Sequence, residues 1–170
     1  MIDVVITLGT LALDAYTIFT KDDNDSDIDT ESLILERLEF AKVCVSLWAH
    51  CCSLDGEFTE EEDEMTDSMI SSLFDDDSLF PEELTNQEVV AEILIETFND
   101  PLPIGSIIDT AKDNHQLAAI FYQDACLIFT ADGTIEDEER EFLDDLASEL
   151  GLSRMDKKMI DRKYLKLAIV

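Results

Sequence analysis

Two stretches of this chain carry acidic side chains at a spacing that supports metal chemistry. Each reads Asp-Gly-x-φ-x-x-x-Glu, where φ is apolar, and they fall at residues 55–62 and 132–139. Asp55 and Glu62 supply hard oxygen donors in the first, Asp132 and Glu139 in the second. Such donors suit Ca²⁺, Mg²⁺ or Mn²⁺, so the candidate cofactor is a divalent cation (Ca, Mg, Mn or Zn). Gly56 and Gly133 permit a positive φ just past an incoming helix. The apolar Phe58 and Ile135 plug the loop into the core, and Glu62 and Glu139 fall in the first turn of an outgoing helix. Glu57, Glu61 and Glu138 lie close enough in sequence to add negative charge. A purely structural alternative stands beside this one. Glu62 completes a capping box with Thr59, and Asp55 and Asp132 are turn residues.

The spacing matches the second half of an EF-hand loop, with Gly sixth and Glu twelfth. The first half fails. Its first and third ligand positions hold Cys51 and Ser53 in one copy, Ile128 and Thr130 in the other. Two independent EF-hand sites are therefore excluded. Asp25-x-Asp27-x-Asp29 ending at Glu36 also has ligand spacing, but Thr30 stands where the glycine is needed, so it reads as an acidic linker, with calcium binding the lesser alternative. His50, Cys51 and Cys52 are adjacent on a helix. They point about 100° apart and do not converge on zinc. The four cysteines include no Cys-x-x-Cys pair and read as reduced, buried thiols of a cytoplasmic protein. His50 adjoins an apolar face, and His115 lies in a polar stretch. Without a Gly-rich phosphate loop, a nucleophile–base pair or a Glu-x-x-His motif, the chain reads as a non-enzyme.

Charge narrows the partners. The 170 residues hold 11 Lys and Arg against 41 Asp and Glu, for a formal net charge of −30. Such a surface repels phosphate backbones and anionic lipid. It attracts cations or a basic protein partner. The sign reverses at the end of the chain, where Arg154, Lys157, Lys158, Arg162, Lys163 and Lys166 gather. A basic C-terminal helix is expected to dock back on the acidic body; the alternative is that it binds a partner. Residues 1–20 are apolar but carry Asp3 and Asp14. They fit neither a signal peptide nor a membrane span, and read as a helix, alternatively a strand.

The elements that must position the two loops read as helices, because Gly and Pro are scarce and apolar residues recur at helical spacing. One helix is expected over residues 30–54, with Leu38, Val43, Leu47, Trp48 and Cys51 on its apolar face. A second starts at Thr59 and stops at Asp75, and a short helical turn follows Pro81. Thr85-x-x-Glu88 forms a capping box for a helix through Phe98. Pro101 and Pro103 then break the chain. Ser106 is expected to cap a long helix to about residue 130. A helix over 137–150 ends before Gly151, and Ser153 caps the last one. Placing Asp55 on Asp132 also pairs Gly56 with Gly133, Met65 with Phe142, Met69 with Leu146 and Leu73 with Leu150. The expectation is an all-α, compact bundle of about seven helices with an internal helix-loop-helix pseudo-repeat over 30–170. Residues 1–29 add an apolar segment and an acidic spacer.

The segments AHCCSLDGEFTEEEDEM and CLIFTADGTIEDEEREFLDDLASELGLS, each behind an apolar helix, resemble the TerB-like family, named for a tellurite resistance protein. The resemblance covers residues 33–166. The second segment is the closer match, and the first departs at Cys51-Cys52 and in its run of glutamates. The resemblance implies an all-α fold of about seven helices with internal pseudo-symmetry. It implies a role in stress or tellurium-oxyanion resistance, or as an interaction module. Related domains stand at the N-terminus of membrane-anchored co-chaperones. The family's acidic loop residues are considered metal-binding, and they correspond here to Asp55, Glu62, Asp132 and Glu139. The alternative is a non-catalytic interaction module that uses its acidic surface without a metal.

Overall fold

A computed structural model describes residues 2–20, 30–54, 56, 60–75, 78–81, 86–131 and 133–165. Among the described residues the chain is all-α: eight α-helices, one 3₁₀ turn and no strand. In order these are α1 (Ile2–Phe19), α2 (Thr30–Cys52), α3 (Glu60–Ser71), the 3₁₀ turn η1 (Ser72–Phe74), α4 (Gln87–Asn99), α5 (Ile104–Ala111), α6 (His115–Phe129), α7 (Asp137–Glu149) and α8 (Arg154–Tyr164). None is long and apolar enough to cross a membrane. The apolar N-terminal stretch is a helix, not a strand.

Side-chain caps decide several boundaries. Asn86 opens α4 by accepting from the Glu88 backbone N–H at 3.2 Å. The cap therefore falls one residue later than the expected Thr85, which lies outside the described residues along with the turn expected after Pro81. Asn114 opens α6 by accepting from the N–H groups of Gln116 and Leu117, each at 3.1 Å. This splits the single long helix expected from Ser106. Ser106 caps nothing; it lies inside α5, where Pro103 holds the N-cap position. Two orphan N–H groups satisfied by one carboxamide are enough to restart the helix there. Ser153 caps α8 through the Asp156 N–H at 3.1 Å, as its spacing suggested.

Helix α6 is the centre of the bundle. Eleven of its fifteen residues are buried, a pattern hydrophobic on nearly all sides. It packs against α1, α2, α5, α7 and α8, while α2 also carries α4 and α5. Helix α1 comes close through Gly9: a Cβ there would lie 2.7 Å from the Ser72 carbonyl oxygen. Only glycine lets the backbones of α1 and η1 approach so far, and Ser78 Oγ donates to the Gly9 carbonyl at 3.4 Å.

The basic helix α8 docks on α6 as expected. Ile160 is buried, Tyr122 donates to Asp161 at 2.6 Å, and Lys157 pairs with Asp161 at 2.7 Å and Asp144 at 3.0 Å.

Candidate functional site

The two Asp-Gly turns share one backbone pattern. After α2, the Ser53 N–H donates to Ala49 and the Gly56 N–H to Ser53, both at 3.0 Å. After α6, Thr130 donates to Cys126 and Gly133 to Thr130, again both at 3.0 Å. Gly56 has φ +74 and Gly133 φ +86. An added Cβ would meet nothing within 4 Å at either position, so glycine is required by conformation and not by crowding. The outgoing helices begin at the paired positions Glu60 and Asp137. Below them Met69, Ile70 and Leu73 are buried in one copy, Leu146, Ala147 and Leu150 in the other.

Of the four candidate ligands, Glu139 is placed most fully. It is half-buried in the first turn of α7. Its Oε2 accepts from the Glu136 backbone N–H at 2.9 Å, a helix-capping bond that occupies one carboxylate oxygen. Glu62 lies in α3, with its side chain outside the described residues. Asp55 and Asp132 lie outside them, as do Phe58 and Thr59. Among the described residues no group of three or more His, Cys, Asp or Glu side chains could hold a metal ion.

Helices α2 and α6, which lead into the two loops, pack against each other. Phe40 contacts Phe121 with ring centroids 6.4 Å apart, and farther along both helices the Trp48 indole N–H donates to Asp124 Oδ2 at 3.2 Å. Burial raises the Cys51 thiol well above its ordinary value, and the charges of Asp124 and Glu139 add to the rise. Cys51, near the end of α2, is therefore within electrostatic reach of the first turn of α7.

His50 is a tether. Its Nε2 lies 2.7 Å from the Leu102 carbonyl oxygen, a bond that needs the proton on Nε2. The Leu102 N–H donates in turn to Ser46 Oγ at 3.0 Å, pinning the proline-broken segment to α2. His115 is exposed at the start of α6.

Reasoning from the sequence missed Asp124. It is 1% exposed and sits in the middle of α6. The Trp48 N–H satisfies Oδ2, while Oδ1 has no hydrogen-bond partner among the described residues. Burial pushes its carboxyl up to about 8, against the opposing pull of the Trp48 bond. The side chain is then a neutral acid at pH 7, which keeps an unpaired charge out of the core. Three thiols surround this region, and all are held protonated. Cys44 and Cys51 are raised well above the usual thiol range and Cys126 is pushed up to about 12, in each case chiefly by burial. Buried, protonated thiols are poor nucleophiles and poor metal ligands. One signal was available: Asp124 is the only Asp, Glu, Lys or Arg in α6, and in the paired register it stands where the first copy has Leu47.

Comparison with protein-family models, with curated proteins and with solved structures found no match to this chain.

Proposed function

We propose that the chain is a TerB-like, non-enzymatic acidic protein that holds one divalent cation between its two Asp-Gly loops. Asp55, Glu62, Asp132 and Glu139 are the ligands. The observation that supports this reading most is the electrostatic coupling of the Cys51 thiol, near the end of α2, to Glu139 in the first turn of α7. Neither loop holds the first-half ligands of an EF-hand, so only a shared ion collects enough oxygens. The sequence repeat pairs the two aspartates, each next to a glycine whose turn matches the other, and a net charge of −30 favours cation capture. An all-oxygen donor set suits Ca²⁺, Mg²⁺ or Mn²⁺. A part in stress or tellurite resistance rests on the family resemblance alone.

Titration calorimetry with Ca²⁺, Mn²⁺ and Zn²⁺ in near-physiological salt tests the reading. The expected result is saturable binding of one ion per chain, abolished by Asp55→Asn or by Asp132→Asn. No heat, together with no rise in melting temperature at excess ion, contradicts it.

A second reading is a metal-free interaction module that recruits a basic protein. The outer face of α4 favours it: Glu88, Glu92 and Glu96 are exposed, with Val89 and Ile95 exposed beside them. Capture of a basic partner that weakens with salt and survives Asp55→Asn combined with Asp132→Asn selects this reading over the cation.

A further inference from the structure

Helix α8 has two faces of opposite character. Its inner face carries the buried Ile160 and the doubly paired Lys157. Its outer face carries Arg154, Met155, Lys158, Met159 and Arg162, spaced i, i+1, i+4, i+5 and i+8, which puts all five on one side of the helix. Met155 is 73% exposed and Met159 63%, the two most exposed large apolar side chains among the described residues. Arg154, Lys158 and Arg162 are exposed and form no ion pair among the described residues. On a chain with 41 acids, three cations left unpaired around two bare methionines make a surface whose complement is absent from the described body.

We propose that the outer face of α8 is a docking surface for an acidic amphipathic helix supplied by a partner protein. Two apolar anchors of that helix seat on Met155 and Met159, and flanking carboxylates meet Arg154, Lys158 and Arg162. Methionine suits this role because its unbranched thioether adapts to anchors of different shape. Helix-in-groove recognition uses the same i, i+4 anchor spacing. Long-range charge selects the occupant. Nucleic acid and anionic membranes carry dense negative charge and are repelled by the rest of the molecule. A second copy brings another −30. A short acidic helix carries only a few negative charges, so it satisfies the three cations at the smallest long-range cost. The surface lies on α8 and does not depend on cation binding at the Asp-Gly loops.

The test uses the full chain labelled with ¹³C at its five methionine methyl groups. The probe is a synthetic helical peptide with two leucines at i, i+4 flanked by glutamates; the control peptide has lysines for glutamates. The expected result is saturable shifts of the Met155 and Met159 methyls with the acidic peptide alone. The fully buried Met69 stays unmoved. Lys158→Glu combined with Arg162→Glu lowers peptide affinity about tenfold or more, with the helical circular dichroism unchanged. The proposal is overturned by an absence of shifts, by equal shifts with the lysine peptide, or by undiminished affinity in the charge-reversed variant. It is also overturned if the same methyls shift with protein concentration alone, which assigns the face to a second copy. Should charge reversal disturb the fold, Met155→Gln combined with Met159→Gln is read by peptide anisotropy instead. Retained affinity in that variant overturns the proposal as well.

Discussion

The copy built from α2 and α3 and the copy built from α6 and α7 share a turn but differ in a residue of the core beneath it. The two turns repeat the same backbone hydrogen bonds and positive-φ glycines, and Met69, Ile70 and Leu73 are buried where Leu146, Ala147 and Leu150 are. Beneath the turn, however, the first copy places Leu47 fully inside, and the second places Asp124 there. Turn geometry is set locally, by where a helix ends and where a glycine sits. It does not depend on which side chain fills the core below. The core accepts an acid at one position for two reasons: Trp48 offers an N–H there, and protonation removes the charge.

Trp48→Ala breaks a buried contact between the two copies. It deletes the largest fully buried side chain and leaves Asp124 Oδ2 without its donor. We expect a loss of about 3–5 kcal/mol in urea unfolding. A loss under about 1 kcal/mol denies that the copies share one core through this pair.

Asp124→Asn isolates the difference between the copies. The carboxyl is pushed up to about 8 in the folded chain, against an ordinary value of 3.8. The folded state therefore holds the proton more tightly than the unfolded one. Its stabilising contribution is fully present below about pH 4, declines as pH rises, and is lost above about pH 8. Asparagine keeps an acceptor for Trp48 and does not titrate. Relative to this variant, the native chain is expected to lose on the order of 3 kcal/mol of stability between pH 5 and pH 8. Parallel stability curves for the two proteins contradict a buried neutral acid.

Gly56→Ala and Gly133→Ala probe what the copies have in common. Both glycines sit at positive φ with open space around the missing Cβ, so each variant carries backbone strain without a clash. The expected cost is about 1–2 kcal/mol at each position, and similar at both. Markedly unequal melting temperatures would break the equivalence of the two turns.

The elements legible in the sequence were those with a local cause. Gly151 at φ +73 after α7 and Ser153 at the head of α8 follow from capping chemistry that spans four residues. The break before α6 was hidden, because Lys112, Asp113 and Asn114 look like the solvated face of a continuing helix. Only the Asn114 carboxamide, turned onto two backbone N–H groups, ends one helix and starts another. Thr85 and Asn86 are neighbouring cap formers, and spacing alone does not rank them. In the candidate site, the glycines and the first-turn position of Glu139 were legible because they follow from the repeat. Asp124 showed only as the one charged residue of α6, and its importance comes from α2 crossing α6, a long-range contact.

The shared cation is tested most directly by titrating ¹⁵N-labelled protein with Mn²⁺, whose unpaired electrons broaden nearby amide signals. The Gly56 and Gly133 amides are expected to broaden together, at the same substoichiometric Mn²⁺, ahead of amides on the exposed acidic face of α4. Broadening of one glycine without the other, or equal broadening over all acidic surfaces, contradicts a single ion held between the two loops.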